Sequence, residues 1–170
     1  MKKKLAVIGI AASILIAAIA AFALLRSGTT EVSRIGKPGG SVEVGKVKWT
    51  VTRAEKRDEL YLNNDPYKGI KAEGVFIVLD VKAEAADRES EIVDSSQLAI
   101  VDSQGRSFRP TEKLQAFSGL RPFYLKRVDS GAPASGRVIF DIPIDSAGLK
   151  LRINDFRSKS VEKGLIDLGL

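Results

Sequence analysis

The chain contains neither cysteine nor histidine. Without cysteine there is no disulfide framework, no thiolate metal site, no nucleophilic thiol and no lipid on an N-terminal Cys. Without histidine the commonest general base, proton shuttle and metal ligand is missing, so a zinc enzyme or a Ser-His-Asp hydrolase cannot be built. Catalysis would fall to carboxylates, Lys or Tyr. Aromatic residues are also scarce, at 6 % with a single Trp. A charge excess is missing from most of the chain as well. The formal net charge is +6, but Lys2, Lys3, Lys4 and Arg26 supply four of the 27 basic residues, and residues 1–26 hold no acid. Residues 27–170 therefore carry 23 basic against 21 acidic groups. That is too balanced to advertise a nucleic-acid surface, and no nucleic-acid partner is expected.

What is present begins with one long hydrophobic run. After the basic tip of residues 1–4, the stretch Leu5 to Leu25 holds 21 residues without a charge. At ~1.5 Å per residue, a helix of that length matches the ~30 Å hydrocarbon core of a bilayer. Three lysines in front and only Arg26 immediately behind keep the N-terminus cytoplasmic and the remainder outside. The run is longer than a signal-peptide core of ~7–15 residues, which favours a retained anchor. The small-x-small patterns Ala18–Ala20 and Ala21–Ala23 leave cleavage as the alternative. The expected localisation is the cell membrane, single-pass with the C-terminal domain extracytoplasmic, or secreted after cleavage. Residues 26–40 mix Gly, Ser, Thr and charge without an apolar period, the composition of a flexible linker. One domain is expected at 41–170.

Period-two patterns recur through that domain. Val47, Trp49 and Val51 alternate with Lys48, Thr50 and Thr52. Val75, Ile77, Leu79, Val81 and Ala83 share one face of a long strand, with Phe76 and Val78 apolar on the other. A turn at Asp102–Gly105 reads as a hairpin. Val138, Phe140 and Ile142 line up, as do Leu149, Leu151 and Ile153, and "GLIDLGL" closes the chain. Only Pro110 to Phe117 suits a short helix, with Leu114 and Phe117 inward. The fold class expected is all-β, an antiparallel sandwich after one transmembrane helix. The loop "SGAPASG" (Ser130 to Gly136) runs into a strand rather than a helix N-terminus. It is therefore a turn eased by Gly131 and Gly136, not a phosphate cradle. Trp49 reads as core.

Four segments carry a family resemblance: "VEVGKVKWTVTRAE" (Val42–Glu55), "KAEGVFIVLDVKAEA" (Lys71–Ala85), "QLAIVDSQGRSFRP" (Gln97–Pro110) and "SGAPASGRVIFDIP" (Ser130–Pro143). In this order the chain resembles the small secreted or membrane-anchored bacterial immunoglobulin-like domains of unknown function. Those domains are related in fold to a mycobacterial immunoprotective antigen and are often mislabelled as telomeric repeat-binding factors. The chain departs from them at Ala86-Asp87, where they often have Asn, and at Ser130, where they usually have Pro. The resemblance implies an immunoglobulin-like sandwich at the cell surface and carries no catalytic residues.

The candidate sites are few. "FSGLRPFYLKR" sets Phe117, Phe123 and Tyr124 among Arg121, Lys126 and Arg127. Aromatic and basic groups together can grip an anionic wall polymer, lipid headgroups or a cell-envelope protein. The competing view is an edge strand with Phe123 and Leu125 inward. Asn63, Asn64 and Asp65 offer oxygen ligands, but calcium needs six to eight and one local carboxylate is too few. Ser160 and Lys163 match a Ser-x-x-Lys spacing without the partner motifs that chemistry needs. Asp141 and Asp145, flanking Ile-Pro-Ile, read as solvated loop carboxylates rather than an acid–base pair. No catalytic residue, metal or cofactor is assigned. The expectation is a membrane-tethered extracytoplasmic binding module with Arg121, Phe123, Tyr124, Lys126 and Arg127 as contact residues. The alternative is a cell-envelope enzyme or enzyme accessory using carboxylates.

Overall fold

The computed structural model describes residues 33–36, 39–62, 65, 67–111, 114, 116–117, 122–155 and 163–170. They belong to one compact unit, Val32–Leu170. The anchor proposed at Leu5–Leu25 lies outside the described residues. Among those described, no helix is long and apolar enough to cross a membrane.

Among the described residues eleven strands make a mostly antiparallel β-sandwich. One sheet has five strands: β1 (Ser33–Gly36), β11 (Lys163–Asp167), β10 (Lys150–Asn154), β6 (Leu98–Val101) and β7 (Ser107–Phe108), in that order. The other has β2 (Ser41–Val44), β3 (Val47–Tyr61), β4 (Gly69–Ala85) and β9 (Ala134–Ile142). A two-stranded ribbon pairs β5 (Glu91–Val93) with β8 (Lys126–Val128). The alternation in the sequence explains the layers. Val47, Trp49, Val51, Val75, Ile77, Leu79, Val81, Val138, Phe140 and Ile142 face inward from the four-stranded sheet. Leu98, Ile100, Leu149, Leu151, Ile153 and Ile166 meet them from the five-stranded one. Each strand thus buries one face of its pleat and wets the other, as a sandwich requires.

Irregularities account for the rest. A register shift between Val51 and Arg53 changes the phase of β3, so Ala54 rather than Arg53 packs on the core. The second apolar face of β4 is covered too. Phe76 and Val78 form a separate buried cluster with Leu60, Ile139 and Leu114, and Phe117 packs on it. In the segment expected as a short helix, the described residues Leu114, Ala116 and Phe117 are 3-10 helical, with the Leu114 N–H donating to the Thr111 carbonyl at 3.0 Å. Its two apolar residues point inward as expected.

Two boundaries differ from the sequence expectation. Ser33–Gly36, assigned to the linker, is strand β1 and runs parallel to β11. Strand pairing through the backbone needs no apolar period, so these four residues gave no signal. Gly136 is not part of the turn. It lies within β9 opposite Val81, while Gly131, at φ 77°, makes the turn between Asp129 and Ala132.

Candidate functional site

The aromatic-basic segment does not stay together. Phe123 is fully buried, its ring 5.7 Å from that of Trp49 and tilted by 54°. It is core, and this corrects its assignment as a contact residue: a ring with no exposed surface cannot meet a ligand. Arg121 lies outside the described residues. Tyr124 is 61 % exposed and Leu125 63 %, so Leu125 is not inward either. Lys126 is half-buried, Arg127 is exposed, and Val128 returns to the core.

The β5–β8 ribbon sets the remaining side chains. Ile92 pairs with Arg127, and Val93 with Lys126. Val93 and Val128 bury the inner face, which turns Ile92, Arg127 and Leu125 outward. Ile92 is 51 % exposed. Arg127 is already engaged, donating from Nε to Asp129 at 3.0 Å and from a terminal nitrogen to Ser90 at 2.9 Å. Ser90 and Arg127 together hold the Asp129 carboxyl below its ordinary range. The outward side chains are therefore Ile92, Tyr124 and Leu125, beside an arginine ion-paired to Asp129. Ile92 went unnoticed in the sequence because it sits in a three-residue strand.

Asp94 fixes the ribbon's end. Its backbone N–H donates to the Gln97 side chain at 2.9 Å and its carboxylate accepts from the Ser96 N–H at 2.9 Å, a capping box on the turn Ser95–Gln97. Its second oxygen accepts the Leu125 N–H, also at 2.9 Å. Burial pushes the Asp94 carboxyl up, but hydrogen bonds from Ser96, Leu125 and Ser95 outweigh it and leave it below its ordinary value.

Two grooves flank this architecture. One, of about 450 Å³, opens beside the ribbon over Trp49, Val44, Val47 and Ile153, with Gln97 and Asn154 on its wall. The other, of about 930 Å³, lies between the end of β9 and the β3–β4 arm, over Ile70, Phe76, Leu114 and Phe117. Asp141 and Asp145 both line the second, but neither is simply solvated. Asp141 accepts the Glu73 and Gly74 N–H groups at 3.1 and 3.3 Å. Asp145 receives both terminal nitrogens of Arg106 at 3.2 and 3.1 Å. Each carboxylate is spent on joining two parts of the fold. Arg106 also donates to the buried Asp102 at 2.6 Å, so it ties the β6–β7 turn to the turn after β9.

Asp65 forms an Asx turn, accepting the Tyr67 N–H at 2.9 Å; Asn63 and Asn64 lie outside the described residues. So does Ser160, while Lys163 opens β11. Among the described residues no group of three or more acidic side chains could hold a metal ion.

The fold defines a small β-sandwich whose polar pairs serve the scaffold. Residues 36–162 match the domain of unknown function DUF4352, and the chain belongs to that family. Solved structures of the same fold include the yjhA protein of Bacillus subtilis. It has a TM-score of 0.58 and 19 % identity over 78 % of this chain and 98 % of that one. A conserved hypothetical protein of Bacillus anthracis has a TM-score of 0.54 and 16 % identity, over 69 % of this chain and 87 % of its own. A functionally unknown protein of Listeria monocytogenes has a TM-score of 0.52 and 12 % identity, over 75 % and 79 %. No curated protein matches the sequence.

Proposed function

We propose that the protein is a membrane-tethered, extracytoplasmic binding module, immunoglobulin-like in its sandwich, that works without catalysis. Leu5–Leu25 is the tether, and the contact surface is the outward side of the β5–β8 ribbon with the Tyr124–Leu125 segment before it. One observation carries this reading: Ile92 on the ribbon and Tyr124 and Leu125 just before it keep more than half of their surface exposed. Large apolar side chains rimmed by polar ones suit a protein partner in the cell envelope. An anionic polymer fits less well, because Arg127 already faces Asp129 and Ser90. The carboxylate-enzyme alternative loses its candidate pair to backbone and arginine contacts.

Site-specific photo-cross-linking in intact cells tests this. A photoreactive residue at Ile92, Tyr124 or Leu125 is expected to give an adduct of one defined mass, and the same residue at Tyr67 or Ile144 is not. Equal labelling at all five positions, or a polydisperse polymer adduct, would refute the surface. Protease added to whole cells should digest the domain, and the intact mass of membrane-extracted protein should include residues 1–25. A protected domain would overturn the topology.

A further inference from the structure

The strongest unexplained feature of the ribbon is its backbone at Leu125. Among the described residues Leu125 alone, apart from glycines, has a positive φ, at 34°. For a branched side chain that region is disfavoured by a factor of about 5–30. The side chain recovers little by burial, since 63 % of its surface stays exposed. Part of the cause is geometric. Phe123 and Val128 are both buried, five positions apart, whereas a continuous strand places every second residue on one face. One residue between them must break the alternation. A glycine would do so without strain. What leucine adds is a projecting apolar group.

We infer that Asp94 is a positioning residue for the binding surface, a latch whose carboxylate holds Leu125 in this strained conformation and so keeps its side chain presented outward. This rests on the contact surface proposed above. The geometry suits the role. The carboxylate is aimed by its own capping turn, where Ser96 occupies one oxygen and Gln97 holds the Asp94 backbone, so the other oxygen meets the Leu125 N–H without adjustment. Phe123 on one side and Val128 on the other fix both ends of the segment in the core. Loss of the latch then frees only Tyr124 and Leu125, and the fold remains.

Asp94→Ser separates latch from cap, because serine still caps the Ser96 N–H but has one oxygen rather than two. In the full-length chain in detergent, the expected result is at least tenfold faster amide exchange at Leu125, with its backbone chemical shifts leaving the left-handed region. Core amides such as Ile100 should change less than twofold. Leu125→Gly, which keeps the turn and removes the strain, is expected to raise the folding equilibrium constant about three- to tenfold. In cells, both variants should cut the adduct formed from Tyr124→benzoylphenylalanine severalfold. A Leu125 that stays left-handed in Asp94→Ser overturns the latch, and an unchanged or lowered folding constant in Leu125→Gly overturns the strain. Release of Leu125 with the adduct undiminished overturns the positioning role. No adduct from Tyr124 in the parent chain overturns the contact surface itself, which the exchange measurement would not disturb.

Discussion

Truncating Phe123 to alanine separates a core residue from a contact residue more sharply than any other change in this protein. Its ring has no exposed surface and rests against Trp49 within the principal core. Burying such a side chain is worth ~1.5–3 kcal/mol by transfer alone, and the cavity left behind brings the usual cost of Phe→Ala to ~3–5 kcal/mol. That is a large share of the ~5–15 kcal/mol that keeps a domain folded, and corresponds to roughly 10–20 °C in Tm for a unit of this size. Trp49 is the only tryptophan, so its fluorescence reports this part of the core. Urea titration of the full-length chain in mild detergent should show the midpoint falling steeply in Phe123→Ala with an unchanged slope. Tyr124→Ala, one residue along and exposed, should shift stability by no more than ~0.5 kcal/mol. If Phe123→Ala costs under ~1 kcal/mol, or no more than Tyr124→Ala, the division of this segment into a buried and a presented half is wrong.

Gly74→Ala should cost ~1–3 kcal/mol in the same titration, because a Cβ there overlaps the Ile142 carbonyl oxygen and meets Pro143 at 3.0 Å; a neutral result would show that β9 can give way. Asp80 and Arg137, joined at 2.8 and 3.1 Å across β4 and β9, should show a coupling of ~0.5–1 kcal/mol in a double-mutant cycle after solvent screening is allowed for. Zero coupling would make the pair incidental. Burial pushes the Asp102 carboxyl up, but the Arg106 side chain and backbone and the Gln104 N–H outweigh it, leaving it below its ordinary value. A depressed folded pKa contributes stability that is complete above the unfolded value and disappears as pH falls through the folded one. Stability should therefore decline below about pH 4, and Asp102→Asn should flatten that decline. Superimposable acid limbs would exclude Asp102 as a contributor.

The sandwich was legible because burial on one side of a pleat writes itself into the sequence as alternation. Val47-Trp49-Val51, Val75 to Ala83, Val138-Phe140-Ile142 and Leu149-Leu151-Ile153 all face the core as their spacing implies. The doubly apolar middle of β4, around Phe76 and Val78, is covered on its outer face too, and Leu114 and Phe117 supply part of the cover. Strand β1 left no trace, since Ser-Arg-Ile-Gly pairs with β11 through backbone groups that every sequence has. The bulge near Arg53 was equally silent, because an extra residue in one strand changes the phase without changing the composition.

The proposed contact surface was half legible for a reason that the backbone supplies. Alternation carried forward from Phe123 puts Leu125 inward and makes Phe123 to Arg127 one uniform strand. The positive φ at Leu125 resets that phase, so Phe123 and Val128 both turn in and Tyr124 and Leu125 both turn out. Nothing in leucine predicts a left-handed conformation, since the residues that adopt it readily are Gly, Asn and Asp. The partner of the Leu125 N–H lies thirty-one positions upstream, in the Asp94 carboxylate. Asp94 and Gln97 can be recognised from sequence as a capping pair, but the second use of that carboxylate cannot, because it depends on β5 and β8 pairing first. A side chain that caps locally and bonds at long range couples the presentation of Leu125 to the formation of the ribbon. The apolar surface is thus complete only once the fold is.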